Sequence, residues 1–173
     1  DQKSMLRHTL ERVSRGIPIQ RTVVVSRTDQ AHYLLPQLPS TLYSRTLLQP
    51  LDRGTAAGVL WPASWVAQRD PEALVAVFPS DHFVLEEDRF IDHILSAVVL
   101  VGSEATYPET DYGWIVPGKV IDWIEGSGAV STVERFVEKP SSQAARRCLA
   151  QGALWNTFVV LARASRLVEL GRE

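Results

Sequence analysis

A chain of 173 residues, 45% apolar and 22% charged, has the length of one domain and enough hydrophobic material for a core, which excludes a disordered tail or a disulfide-stapled miniature fold. Eighteen Lys and Arg against twenty Asp and Glu leave a formal charge of −2 with no long block of one sign, so binding to nucleic acid or membrane by bulk charge is not expected. The lone Cys148 can form no internal disulfide, no Cys/His cluster has zinc spacing, and no stretch reaches the roughly 20 apolar residues of a membrane helix. The expectation is a cytoplasmic globular protein, with residues 1–173 as one domain.

Leu6, Leu10 and Val13 recur at helical spacing between charged residues, with Gly16 and Pro18 as a stop. Thr22 to Val25 is a β-branched run without polar alternation, the pattern of a parallel strand covered on both faces. A short strand at Thr46–Gln49, a helix over 55–68 that Pro62 should kink or split, and the apolar strand Leu74–Phe78 continue the alternation. Alternating strands and helices predict an open α/β sheet. Phe90, Ile91, Ile94, Leu95 and Val98 form another helical stripe running into a strand at Val99–Val101. A helix and the next parallel strand normally need a connection of about 2–6 residues, so residues are expected to be missing there.

Beyond Gly102 the pattern shortens to β-like pieces at 112–116, 120–124 and 133–137, separated by Pro117-Gly118 and Gly126-Ser127-Gly128 and read as hairpins on one flank. Ser141 or Ser142 can cap a helix to about Leu149, with Gly152 after it. A buried strand at Phe158–Leu161 and the start of a helix at Ser165–Leu170 complete the chain.

In such sheets ligands bind beyond the carboxyl ends of strands. Two junctions qualify. Gln49-Pro50-Leu51-Asp52-Arg53-Gly54-Thr55 leads into a helix whose free N–H groups suit phosphate, with Arg53 as a forked cation; the plain alternative is a capped turn with a solvated ion pair. Pro79-Ser80-Asp81-His82 projects a carboxylate that suits Mg²⁺, a cation that uses one or two carboxylates plus water and phosphate; the alternative is that Asp81 caps the next helix. His82 reads as a packing residue, and His8, His32 and His93 have no ligand partners at metal spacing. Glu138-Lys139 is either a solubilising surface pair or a site where a carboxylate accepts from sugar hydroxyls beside an ammonium that neutralises phosphate. Trp155 reads as core and Asn156 as a turn residue; the five Trp, scattered without a basic stripe, read as core and rim.

Taken in order, Gln49-Pro50 with Arg53-Gly54-Thr55-Ala56, Phe78-Pro79-Ser80-Asp81-His82, Glu109-Thr110-Asp111-Tyr112-Gly113-Trp114-Ile115, Val137-Glu138-Lys139-Pro140 and Leu154-Trp155-Asn156-Thr157 form a series. With these five motifs the chain resembles the sugar-1-phosphate nucleotidyltransferases, and within them the mannose-1-phosphate guanylyltransferases, over nearly its whole length. The resemblance implies a Rossmann-like, open and mostly parallel sheet with a β-hairpin flank. It also implies transfer of a guanylyl group from GTP to mannose-1-phosphate, giving GDP-mannose and pyrophosphate with Mg²⁺ as cofactor. By the same resemblance Asp81 is the metal ligand, Asp81 and Lys139 are the catalytic pair, Gln49, Arg53, Gly54 and Thr55 hold the nucleotide, and Gly113, Glu138, Lys139 and Asn156 hold the sugar phosphate. The implied partners are these two small molecules, without nucleic acid or membrane, and a homodimer is an admissible assembly. The alternatives are a nucleotidyltransferase for another hexose-1-phosphate or base, and a non-catalytic sugar-nucleotide-binding regulator.

Departures from the family pattern fall inside these motifs. Asp52 stands where relatives have glycine, Gly54 where they have asparagine, and Thr157-Phe158 where they often have serine-glycine. The family's opening strand and glycine-rich loop would precede Lys3-Ser4-Met5-Leu6, and a second metal-binding aspartate would follow Glu173, so the chain is expected to lack both parts.

Overall fold

The computed structural model describes residues 3–88, 90–91, 100–124 and 128–172. The chain divides into two compact units, Asp1–Leu95 with Leu161–Glu173, and Ser96–Val160.

In the first unit, α1 (Met5–Val13) starts where Ser4 Oγ accepts the Arg7 N–H at 3.3 Å. Its apolar stripe, Leu6 and Leu10, packs with Ile19, Leu34 and Leu35 around Val24, Leu38 and the fully buried Leu42. The strand expected at 22–25 begins later, as β1 (Val24–Arg27), because Ile19–Arg21 first closes a 3₁₀ turn in which the Thr22 N–H reaches Ile19 O at 3.1 Å. β1 pairs in parallel with β2 (Thr46–Gln49), Val24 opposite Thr46 and Arg27 opposite Gln49, so both strands finish at the same edge. Their crossover contains α2 (Ala31–Leu34) and short 3₁₀ turns rather than one long helix.

α3 (Gly54–Ala67) runs through Pro62 as one helix and is not split. Proline removes one ladder hydrogen bond, but most helical stability in a protein comes from tertiary packing. α3 has that packing: Ala63 is buried, and the helix lies against α5 (Ala164–Leu170), where a Cβ on Gly171 would come within 2.6 Å of Leu60 Cδ1. β3 (Leu74–Val77) follows, and Ala164 and Ser165 donate back to Ala73 O and Pro71 O at 2.9 and 3.0 Å, fixing the start of α5 beside it. Residues 87, 88, 90 and 91 are helical, as expected; the rest of that stripe, the tight junction before Val101 and the residues expected to be missing there lie outside the described residues.

In the second unit, β4 (Leu100–Glu104), β5 (Trp114–Ile124) and β6 (Gly128–Val137) are joined by β7 (Leu154–Arg163), whose last three residues belong to the first unit. β7 pairs antiparallel with β4 and β5, and β5 antiparallel with β6. The open α/β arrangement with a hairpin flank is present, but the described strands form two sheets, the parallel pair β1–β2 and a five-stranded sheet of β3, β7, β5 and β6 with β4 on β7. The pairings described in the larger sheet are antiparallel where a mostly parallel sheet is expected, because β5 and β6 form a hairpin and β7 returns against β5 and β4.

Pro117-Gly118, read as a break between two strands, instead lies within the single long β5. The register against β6 shifts between Val116 and Asp122, and this irregularity accommodates a residue that cannot donate to the ladder. The hairpin turn at 125–127 lies outside the described residues.

Trp114, Val116, Ala145, Cys148 and Ala153 form the core of this unit, with α4 (Ser142–Ala150) capped by Ser141 as expected. Cys148 is 2% exposed, so a thiol reagent is expected to leave the native protein unlabelled and to label it stoichiometrically in denaturant. Rapid native labelling would show that this core opens. Among the described residues no helix is long and apolar enough to cross a membrane.

Candidate active site

Because β1 and β2 end in register, the residues after them meet. Thr28 Oγ1 donates to Gln49 O at 3.0 Å, and Arg27 bridges two carboxylates, Asp29 at 2.8 Å and Asp52 at 3.2 Å. Asp52 Oδ1 accepts the Gly54 N–H at 2.8 Å, ahead of the first turn of α3. That backbone hydrogen bond, and then Arg27, hold the Asp52 carboxyl below its ordinary range. The capped turn with an ion pair is therefore real, but its cation is Arg27. Arg53 is exposed, and among the described residues no hydrogen bond or ion pair engages it, which leaves its guanidinium available for an anion.

Gln49, Pro50, Leu51, Arg53, Ala57 and Trp61 line a shallow recess of about 190 Å³, apolar in lining apart from Gln49 and Arg53. Ligand pockets run from roughly 300 Å³ upward, so this recess is smaller than a whole ligand pocket. Sequence patterning places Trp61 with the core and rim residues. Its position two turns into α3, on the face that carries Ala57, is the signal that joins it to Gln49 and Arg53.

Asp81 stands four residues past the end of β3, exposed, and does not cap the following helix, whose first described residue is 87. No hydrogen bond or ion pair among the described residues holds its carboxylate. Nor do the described residues gather three or more His, Cys, Asp or Glu into a ready metal cage. One hard oxygen donor in the open suits a cation that keeps its water and takes the rest of its shell from phosphate. Mg²⁺ fits the donor set on those terms.

In the second unit β5 and β7 set Trp114 opposite Trp155, and β5 and β6 set Trp114 opposite Val137. The residues next along each strand therefore converge. Asn156 N–H donates to Gly113 O at 2.7 Å, and a Cβ on residue 113 would lie 2.7 Å from Phe136 Cζ, 2.8 Å from Glu138 Oε2 and 3.4 Å from Asn156 Cβ. Three of the four residues expected to hold the sugar phosphate are thus in contact; Lys139 follows Glu138 directly, exposed, at φ 40°. Asn156 Oδ1 accepts the Phe158 N–H at 3.0 Å, so what Asn156 can offer a ligand is its NH₂ donors. Tyr107, Tyr112 and Trp114 pack edge-on around Trp155, with ring centroids 4.8, 5.6 and 6.2 Å from it.

Glu109 belongs to one of the five motifs but carries no role of its own in the sequence. Its Oε1 accepts the N–H groups of Thr110 and Asp111 at 2.7 and 3.0 Å, and its carbonyl accepts Trp114 Nε1 at 2.9 Å. Those backbone bonds, Asp111 before Thr110, hold the Glu109 carboxyl below its ordinary range and fix the loop that delivers Gly113.

Residues 1–173 match the family model described as nucleotidyl transferase. The chain belongs to the nucleotidyl transferase family. It is 34% identical over 177 residues to the xanthan biosynthesis protein XanB of Xanthomonas campestris pv. campestris (strain B100), covering 96% of this chain and 36% of that protein. It is 30% identical over 183 residues to a mannose-1-phosphate guanylyltransferase of Escherichia coli, covering 99% of this chain and 38% of that one. The chain thus spans little more than a third of the curated relatives it matches.

Among solved structures, a Thermus thermophilus protein named mannose-1-phosphate geranyltransferase superposes with a TM-score of 0.87 at 31% identity, over 99% of this chain and 50% of that one. A Helicobacter pylori protein named mannose-6-phosphate isomerase shares the fold, with a TM-score of 0.78 at 24% identity over 99% of this chain and 65% of that one.

Two of the departures within this nucleotidyl transferase domain fall at residues with positive φ. Residue 54 has φ 75°, a left-handed conformation that glycine and asparagine both accept, so the exchange leaves the turn intact. Phe158 stands at φ 58°, where family members often carry glycine; the bulge between β4 and β7 persists although a bulky residue there costs about 1–2 kcal/mol.

Proposed function

We propose that the protein transfers a guanylyl group from GTP to mannose-1-phosphate in the cytoplasm, producing GDP-mannose and pyrophosphate. The observation that carries this reading is the convergence of Gly113, Glu138 and Asn156. A carboxylate acceptor, amide donors and an uncrowded backbone complement a polyhydroxylated ring, and the adjacent Lys139 ammonium complements its phosphate. The likeness to proteins named mannose-1-phosphate guanylyltransferase supports it further.

A phosphate oxygen of the sugar phosphate attacks the α-phosphorus of the triphosphate. The new P–O bond forms as the bond to the bridging oxygen breaks, and pyrophosphate leaves with that electron pair. The nucleophile is already anionic at neutral pH, so no side chain has to remove a proton, and the protein's work is alignment and charge neutralisation. Gln49, Gly54 and Thr55 position the nucleotide, Arg53 neutralises its phosphates, Glu138 and Asn156 orient the hexose, and Lys139 holds its phosphate. Mg²⁺ held by Asp81 would supply the remaining neutralisation along the polyphosphate.

Asp52 favours a second reading, a different base or hexose, because it puts a carboxylate where family members have glycine and ties up the Gly54 N–H. A negative charge at a helix start opposes phosphate binding. Asp52→Asn is therefore expected to lower the KM for GTP roughly two- to fivefold at low ionic strength, with the gain shrinking in salt. An unchanged KM in steady-state titrations would remove Asp52 from the nucleotide site.

Pyrophosphate release by the full-length protein, with each of four nucleoside triphosphates and either mannose-1-phosphate or glucose-1-phosphate, tests the assignment. GTP with mannose-1-phosphate should exceed every other pair. Preference for another pair reassigns the substrates, and binding of GDP-mannose with no release from any pair supports a regulator instead.

A further inference from the structure

Arg12 is one of the charged residues between the apolar positions of α1, yet it is 2% exposed. Burying a guanidinium is costly unless its donors are satisfied, so its partners indicate what keeps it there. One nitrogen, Nη2, serves two of them, Thr9 Oγ1 at 3.0 Å and the His82 carbonyl at 3.2 Å. Thr9, 5% exposed, passes the link on, its hydroxyl donating to the Ser80 carbonyl at 3.3 Å. The two carbonyls gripped in this way flank Asp81 on either side. Glu87 at 3.9 Å and the Phe90 ring, with the guanidinium carbon 5.7 Å from its centroid, compensate the buried charge. Burial pushes the Arg12 pKa down and Glu87 opposes that shift, while Nε is buried without a partner. A site that leaves one donor unsatisfied and commits another to one loop carbonyl and to the threonine that holds a second is built around the loop rather than around the charge.

We propose that Thr9 and Arg12 are positioning residues that clamp the backbone on both sides of Asp81 and so fix the direction of its carboxylate toward a divalent cation. The inference rests on the reading of Asp81 as the cation ligand. The Asp81 side chain itself is held by no hydrogen bond or ion pair among the described residues, so its direction is set through the backbone that carries it. A carboxylate on an unclamped loop would have to be ordered each time the cation binds, and affinity would fall accordingly.

The test is Mn²⁺ binding to the full-length protein in the presence of GTP, read by electron paramagnetic resonance, with thermal melting to confirm folding. Arg12→Lys keeps the charge but loses the fork, and Thr9→Val keeps the shape but loses the hydroxyl. Each is expected to weaken Mn²⁺ binding about tenfold, the low end of the loss when a residue supporting a metal ligand is removed, whereas Thr9→Ser should bind close to wild type. Thr9→Val carries the test if Arg12→Lys fails to fold. Asp81→Asn separates the two levels. Loss of Mn²⁺ in Asp81→Asn with normal titrations in folded Arg12→Lys and Thr9→Val overturns the clamp alone. A normal titration in Asp81→Asn overturns the cation reading, and the clamp with it.

Discussion

Asp81→Asn is expected to reduce kcat about 10³-fold while leaving the melting temperature within a degree or two of wild type. The substitution removes a charge but almost no volume, at an exposed position where the side chain makes no described contact, and surface changes of that sort usually cost less than about 0.5 kcal/mol. The loss in rate follows from the proposed reaction. In-line displacement at phosphorus offers little covalent chemistry to a protein, so most of the acceleration lies in neutralising charge on the polyphosphate, and removing one such electrostatic element typically costs about 10²–10³-fold. Steady-state kinetics and a thermal melt on one preparation check both halves. Retained turnover in a folded Asp81→Asn protein would remove Asp81 from the reaction.

Gly113→Ala is expected to raise the KM for the sugar phosphate roughly 10- to 100-fold with the fold retained. The added methyl would come within 2.7 Å of the Phe136 ring tip and 2.8 Å of a Glu138 carboxylate oxygen. Both are far ends of side chains that can swing away, so the methyl displaces them rather than unfolding β5. The movement is the point: under the proposed function a carboxylate turned aside would no longer meet the sugar hydroxyls, and a site built to hydrogen-bond a hydroxyl loses heavily when the pairing fails. The KM for GTP should stay near wild type. If instead GTP binding weakens and sugar-phosphate binding does not, the assignment of Gly113 is wrong. A large fall in melting temperature would show a structural glycine.

Legibility in the sequence divides along the line between local and long-range physics. β2 is readable with its observed bounds because a short apolar run is bracketed by turn residues, and the cap at Ser141 follows from local hydrogen-bonding chemistry alone. Pro62 and Pro117 both read as interruptions, and in both cases the context overrides the local cost, helix packing at one and strand irregularity at the other. The burial of Arg12 is hidden because helical periodicity gives the angle of a residue about the axis, not what the fold brings to that face. Candidate site residues are legible one motif at a time, since polar residues after apolar strands stand out. That Gly113, Glu138 and Asn156 touch is not, because it depends on the register of β5 with β6 and β7, strands separated in the chain by the whole of α4.

The most direct measurement follows oxygen atoms. Mannose-1-phosphate labelled with ¹⁸O in its non-bridging phosphate oxygens, incubated with GTP, Mg²⁺ and the full-length protein, should yield GDP-mannose that retains every label, one of them in the bridge between the two phosphorus atoms. The released pyrophosphate should carry none. Label in pyrophosphate, or no labelled GDP-mannose at all, would contradict attack by the sugar phosphate on the α-phosphorus.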